Sequence, residues 1–262
     1  MMNPTTIYKT AAAALACSFL LACGGGGGSP TPFVDPVPPG GDSSTPAPLP
    51  DPVPPITLTG ITAQGLWQSG AGAETVTSTV VTDNGQVWSV FTTAGATRLV
   101  KASLAASGTG FTGTGKAFVL GANTVEAIIL TATAVAKSSL SGSISSTAQT
   151  ESYSLAYQSR YDTPITVASF AGSWSATLGP GTVNWTISNS GVITGTRTTG
   201  CTYTGQVSLR PEAKAVVDAV ITESCPTVTQ LSGIAVKSAD NTGITLLMTT
   251  TGDAQAVVIG LH

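Results

Sequence analysis

From Ile56 onward the chain alternates apolar and polar positions with period two, in short runs broken by Gly, Asn, Asp and Pro. Such alternation predicts β-strands with one buried face. Eight strands are expected at residues 66–69, 75–81, 86–92, 98–106, 111–120, 125–135, 139–146 and 153–158. Eight more are expected at 173–178, 183–188, 192–198, 202–209, 215–222, 234–238, 244–250 and 254–261. Asp83-Asn84-Gly85 supplies the positive φ angles of a tight hairpin, and Asn189-Ser190-Gly191 marks another turn. No segment carries a 3.6-residue period. The run from Val125 to Leu130 has helix formers, but Thr131 and Thr133 continue it as strand.

The two sets look like copies. Gly65-Leu66-Trp67 matches Gly172-Ser173-Trp174, and the two turns fall at almost the same offset. Leu140-Ser141-Gly142 and Leu231-Ser232-Gly233 recur later, with about one strand's length missing between. A period of roughly 105 residues suits a duplicated domain rather than a solenoid unit. The expected fold class is therefore all-β: two tandem small antiparallel up-and-down β-barrels of about eight strands each. Closure hides the sheet edges of a Thr/Val-rich chain that would otherwise aggregate. Gly113, Gly115, Gly195 and Gly205 suit the bends of a small barrel, and Trp67 and Trp174 are each expected to plug a barrel end. The expected domains are 57–162 and 163–262, divided near Asp162-Thr163-Pro164 into two folding units.

Ahead of the strands, residues 23–56 run through Gly24 to Gly28 and a Pro-rich tract ending at Pro55. This composition cannot bury a core, so the segment reads as a disordered tether, swivelling at its glycines and extended at its prolines. Residues 1–22 read as a signal peptide, with Lys9 followed by an apolar stretch from Ala11 to Ala22. That stretch is shorter than the roughly 20 residues of a spanning helix. Its end, Leu20-Leu21-Ala22-Cys23, resembles the lipobox of bacterial lipoproteins. The resemblance implies cleavage before Cys23, lipidation of the Cys23 thiol, and anchoring in the outer membrane, since Gly24 stands where an inner-membrane retention Asp would sit. The rival reading is an ordinary secretory signal with a chance Cys.

Charge makes up only 9% of the chain. Without Lys9 there are nine basic and thirteen acidic residues, and Arg98, Arg160, Arg197 and Arg210 are scattered. Nucleic-acid binding needs a dense positive footprint, which this chain lacks. Of the four cysteines, Cys17 leaves with the signal and Cys23 takes lipid. Export to an oxidising compartment then makes a Cys201–Cys225 disulfide the default. A metal site is the rival, but two thiols without a neighbouring His make a poor zinc cage.

Candidate catalytic chemistry is thin. The single His is His262, so His-based acid–base or triad catalysis has almost no support. Asp218 and Glu223 form an imaginable carboxylate pair, but on a strand they face opposite sides and read as solvated surface charge. Gly110-Phe111-Thr112-Gly113-Thr114-Gly115-Lys116 scans as a phosphate-binding loop, yet Ala117 replaces the Mg²⁺-holding Ser/Thr and no helix follows. A transmembrane barrel is disfavoured because Ser and Thr lie on both strand faces. The Gly-x-Trp starts and Gly200-Cys201-Thr202-Tyr203-Thr204-Gly205 look like those of bacterial lipoproteins with no assigned activity. The architecture loosely resembles Gram-negative surface lipoproteins with small β-barrel lobes. The expectation is a non-catalytic, membrane-anchored module that binds protein or serves envelope structure, without cofactor or nucleic-acid partner. The alternative is a lipocalin-like carrier of a small apolar ligand.

Overall fold

The computed structural model describes residues 61–70, 76–93, 96–122, 124–179 and 181–262. The signal, the tether and Cys23 lie outside the described residues. The first half holds β1 (Gly65–Gln68), β2 (Val76–Val81), β3 (Gln86–Thr93), β4 (Ala96–Ser107), β5 (Gly110–Val119), β6 (Thr124–Val135), β7 (Ser139–Ser145) and β8 (Thr150–Tyr157). The second holds β9 (Gly172–Leu178), β10 (Gly181–Ile187), β11 (Val192–Arg197), β12 (Thr202–Leu209), β13 (Val216–Ser224), β14 (Val228–Lys237), β15 (Ile244–Thr250) and β16 (Ala256–Leu261). Two short 3-10 turns, Ser159–Asp162 and Val167–Phe170, lie between the halves.

Each half is an eight-stranded antiparallel meander in which sequence neighbours pair. The first closes into a barrel where Trp67 pairs with Tyr157 and Gln68 with Ala156. The second nearly closes: Ser175 and His262 exchange two backbone hydrogen bonds of 3.0 Å between β9 and the residue after β16. All sixteen expected strands are present. The largest boundary shift is at β14, which starts at Val228 rather than Ile234. The apolar residues of that stretch are Val228, exposed, and Leu231, buried, three positions apart, so no period-two alternation shows in the sequence.

Matched starts and turns of the copies use the same local physics. Trp67 Nε1 donates to the Ala63 carbonyl and Trp174 Nε1 to the Phe170 carbonyl, each four residues back and each at 2.9 Å. Gly85 and Gly191 both have left-handed φ, 79° and 84°. Their carbonyls accept from Leu104 and Val207, and a Cβ at either glycine would collide with the carbonyl oxygen of that same partner. The later Leu-Ser-Gly recurrence is not an equivalent position: Gly142 lies on the seventh strand of its half and Gly233 on the sixth.

Among the described residues, three apolar cores result. One fills the first barrel around Trp67, Phe91, Val100 and Leu130, and one fills the second around Trp185, Ile193, Ile221 and Met248. The third lies between the barrels. It joins outward residues of β1 to β5 (Leu66, Val80, Trp88, Leu99, Phe118) to Val216, Ile234, Val236 and Leu247 of β13 to β15. Tyr161, from the first 3-10 turn, is buried among them. Burial of each such large side chain contributes about 1.5–3 kcal/mol. The expected boundary at Asp162-Thr163-Pro164 thus separates the two sheets along the sequence, while contacts group the described residues into one compact unit.

Polar ties edge this shared core. Lys101 Nζ lies 2.7 Å from Asp253 Oδ1 and 5.2 Å from the centre of the Trp88 ring. Lys116 Nζ donates to the Gly252 and Asp253 carbonyls at 3.3 and 3.0 Å. Asp162 accepts from Lys137 of the first half and Lys214 of the second.

Candidate functional site

Residues with chemical potential gather at one end of the β12–β13 hairpin. Cys201 immediately precedes β12 and Cys225 immediately follows β13. The register pairs Thr202 with Ser224, which places the two cysteines opposite each other with Cα atoms 4.5 Å apart. They are joined as a disulfide, as the sequence led one to expect. The bond clips the open end of the hairpin, a position where cross-strand side chains naturally meet.

Glu223 does not match its expected role as a solvated charge. It is 7% exposed, and its Oε1 accepts from the Tyr203 hydroxyl at 2.7 Å. The inward side of β13 carries it beside the disulfide, where a strand-parity argument alone assigns a face but not its surroundings. Burial, then the neighbouring Glu223 carboxylate, pushes the Tyr203 phenol above its ordinary pKa. The Tyr203 ring packs 5.3 Å from that of Trp185. Trp185 in turn lies over Gly195, where any Cβ would strike its indole. That glycine makes room for a ring rather than a bend. Arg197, on the same strand as Gly195, donates to the Leu178 carbonyl.

Asp218 faces away from Glu223, as parity requires, but it too has a partner: Arg210 Nη1. Arg210 is 7% exposed and meets three carboxylates: Asp218, Asp83 across the shared core at 2.8 Å, and Glu212 at 3.4 Å. Burial works against the Asp83 carboxylate, but the adjacent Arg210 outweighs it and holds the pKa below its ordinary value. Glu212 has the opposite fate, its pKa raised chiefly by burial. This cluster ties the barrels together. It offers no vacant position for a substrate, since the guanidinium occupies its middle.

The other sequence candidates are dispersed. The phosphate-loop look-alike forms part of β5, and its Lys116 is engaged by backbone carbonyls. His262 acts through its backbone in the seam of the second barrel. Trp67 is fully buried in the first barrel, and Trp174 packs partly buried against the core of the second.

The concave spaces among the described residues differ sharply in size. Two cavities lined by inward residues of the first barrel measure about 10 and 20 Å³, one beside Phe91, Leu130 and Ile144, the other beside Arg98, Glu126 and Glu151. Each has room for about one water. A far larger open groove of about 690 Å³ crosses β9 to β12. Its lining includes Ser173, Ser175, Asn184, Thr186, Thr194 and Thr204. Among the described residues its lining carries no charged side chain.

Compared with known proteins, the chain matches no family model, no curated protein and no solved structure.

Proposed function

We propose that this protein is a non-catalytic lipoprotein of the bacterial cell envelope, held in the outer membrane through lipid on Cys23, which binds a protein partner or serves envelope structure through its outer surface. The observation that carries the reading is the contrast of volumes. The two cavities described in the first barrel measure about 10 and 20 Å³, while the concavity of about 690 Å³ is a groove with an uncharged described lining on the outside of the second. A carrier of the lipocalin kind needs an interior of a few hundred Å³. The cavities described here would not admit an apolar ligand. Lipobox, tether and disulfide agree in kind, since all three belong to exported chains.

Two measurements test the proposal. Metabolic labelling with a palmitate analogue is expected to mark the wild-type protein and to spare Cys23→Ala; a labelled mutant would refute the anchor. A photo-crosslinking residue placed at Thr194 in intact cells is expected to capture a defined partner, whereas the same residue at Thr131 on the first barrel is not. Equal capture from both positions, or none, would remove the outer groove from the proposal.

A further inference from the structure

The disulfide is one state of a pair that also has a carboxylate within reach. The sulfurs of Cys201 and Cys225 and a Glu223 carboxylate oxygen all lie within 4.8 Å of one another. In a tetrahedral zinc site, bonds of about 2.3 Å to sulfur and about 2.0–2.2 Å to oxygen set neighbouring donor atoms roughly 3.3–3.8 Å apart. Bringing the present atoms to that spacing requires the sulfurs to part, which reduction permits, and small shifts elsewhere. We propose that the dithiol form of this pair is a zinc site, with Cys201, Cys225 and Glu223 as three ligands and a fourth position open to water.

Three features of the surroundings favour it. Tyr203 donates to Glu223 at 2.7 Å, fixing the carboxylate as outer-shell donors do for metal-bound ligands. Cys201 and Glu223 are buried while Cys225 is partly exposed, so the cage has a closed back and an open front. The two cysteines sit at strand ends rather than mid-strand. Gly200, with φ 95°, precedes one of them and Pro226 follows the other, so the ladder of β12 and β13 begins at the next pair, Thr202 and Ser224.

The chemistry balances with a dithiol as reductant. Thiol–disulfide exchange moves two electrons and two protons to the Cys201–Cys225 bond, and the donor's own sulfurs leave as a disulfide. Zinc then binds both sulfurs as thiolates and displaces two protons to solvent. A chain newly exported with its thiols free reaches the same state without a reductant. Metal and oxidant then compete for one pair of sulfurs.

The test uses the full chain in detergent, reduced with a phosphine that is then removed, and titrated with Co²⁺ under anaerobic conditions. One equivalent is expected to bind with a sulfur-to-cobalt charge-transfer band, which Zn²⁺ then abolishes, while the oxidised protein shows no band. Glu223→Gln is expected to weaken binding at least tenfold, Tyr203→Phe to weaken it with the band retained, and Cys201→Ser to eliminate the band. No band in the reduced wild type would overturn the proposal. So would unchanged affinity in Glu223→Gln, which would mark an adventitious dithiol. Loss of the strand circular-dichroism signal on reduction would also overturn it, because the cage requires the folded hairpin.

Discussion

Arg210 Nη2 lies 2.8 Å from Asp83 Oδ1, so a guanidinium of the second barrel is held by a hairpin turn of the first. Both side chains are largely shielded, and Glu212 and Asp218 share the same cation. Replacing Arg210 by Met keeps much of the volume but leaves three carboxylates facing one another. Arg210→Met is expected to cost about 3–5 kcal/mol, the usual penalty for stranding buried charge. Urea unfolding monitored by tryptophan fluorescence measures it. A change below 1 kcal/mol would show that water already screens the cluster.

The same cluster sets a pH dependence whose direction can be worked out. Glu212 has its pKa raised in the folded state above the ordinary 4.5, mainly by burial. Its contribution is fully present below that ordinary value and is lost as pH rises through the folded-state value. Asp83 behaves oppositely: its pKa is depressed, so its contribution is lost as pH falls through the folded-state value. Glu212→Gln is therefore expected to gain stability relative to wild type as pH rises above about 4.5. Thermal melts of the two proteins at matched pH values check it, and parallel curves would contradict it.

Cleavage between the sheets is expected not to separate them. Thr163 and Pro164 are exposed, but Tyr161 beside them is buried in the shared core. A protease site engineered at Thr163-Pro164 is expected to give two fragments on a denaturing gel that co-elute as one species under native conditions. Trp88→Ala in that core should destabilise the whole protein by about 3–5 kcal/mol. Two fragments that part without denaturant would restore the picture of independent units.

Reduction of Cys201–Cys225 tests the same coupling from another side. The bond closes a loop with a sequence separation of 24, which confers about 3 kcal/mol in the chain-entropy account. For a protein of this size that corresponds to roughly 6–12 °C in the melting midpoint. Because the barrels share a core, one cooperative transition is expected to shift as a whole. Calorimetry showing a second, unmoved transition would assign the loss to the second barrel alone.

Period-two alternation and turn residues were enough to place the sixteen strands and the order in which they pair, because each strand buries one face and meets its neighbour through a short turn. Shared burial was harder to see. Its signal is doubled apolar positions, such as Leu66-Trp67, Val80-Val81, Leu99-Val100 and Ala117-Phe118, where one residue faces the barrel and the next faces its neighbour. A barrel wetted on its outside has no use for such pairs. The cysteine pairing was legible from compartment and strand ends, but the place of Glu223 was not. Parity says which side of a sheet a carboxylate lies on; the curvature that folds that side around a disulfide is set by all eight strands. The groove on β9 to β12 left no trace beyond a run of hydroxyl residues, which the rest of the chain also has in plenty.

The two copies do not meet through the same strands. The first presents its strands one to five and the second its strands five to eight, which is a head-to-tail contact rather than a self-complementary one. Contacts of that kind do not close, and unopposed they add subunits without end. The contact is not repeated on the face of the second barrel corresponding to the one the first uses to receive its neighbour. There Leu66, Val80 and Trp88 give way to Ser173, Thr186 and Thr194 of the outer groove. A third barrel would meet hydroxyl groups there in place of those apolar side chains. The copies therefore differ most in the polarity of one equivalent outer face, apolar on the first barrel and hydroxyl-bearing on the second.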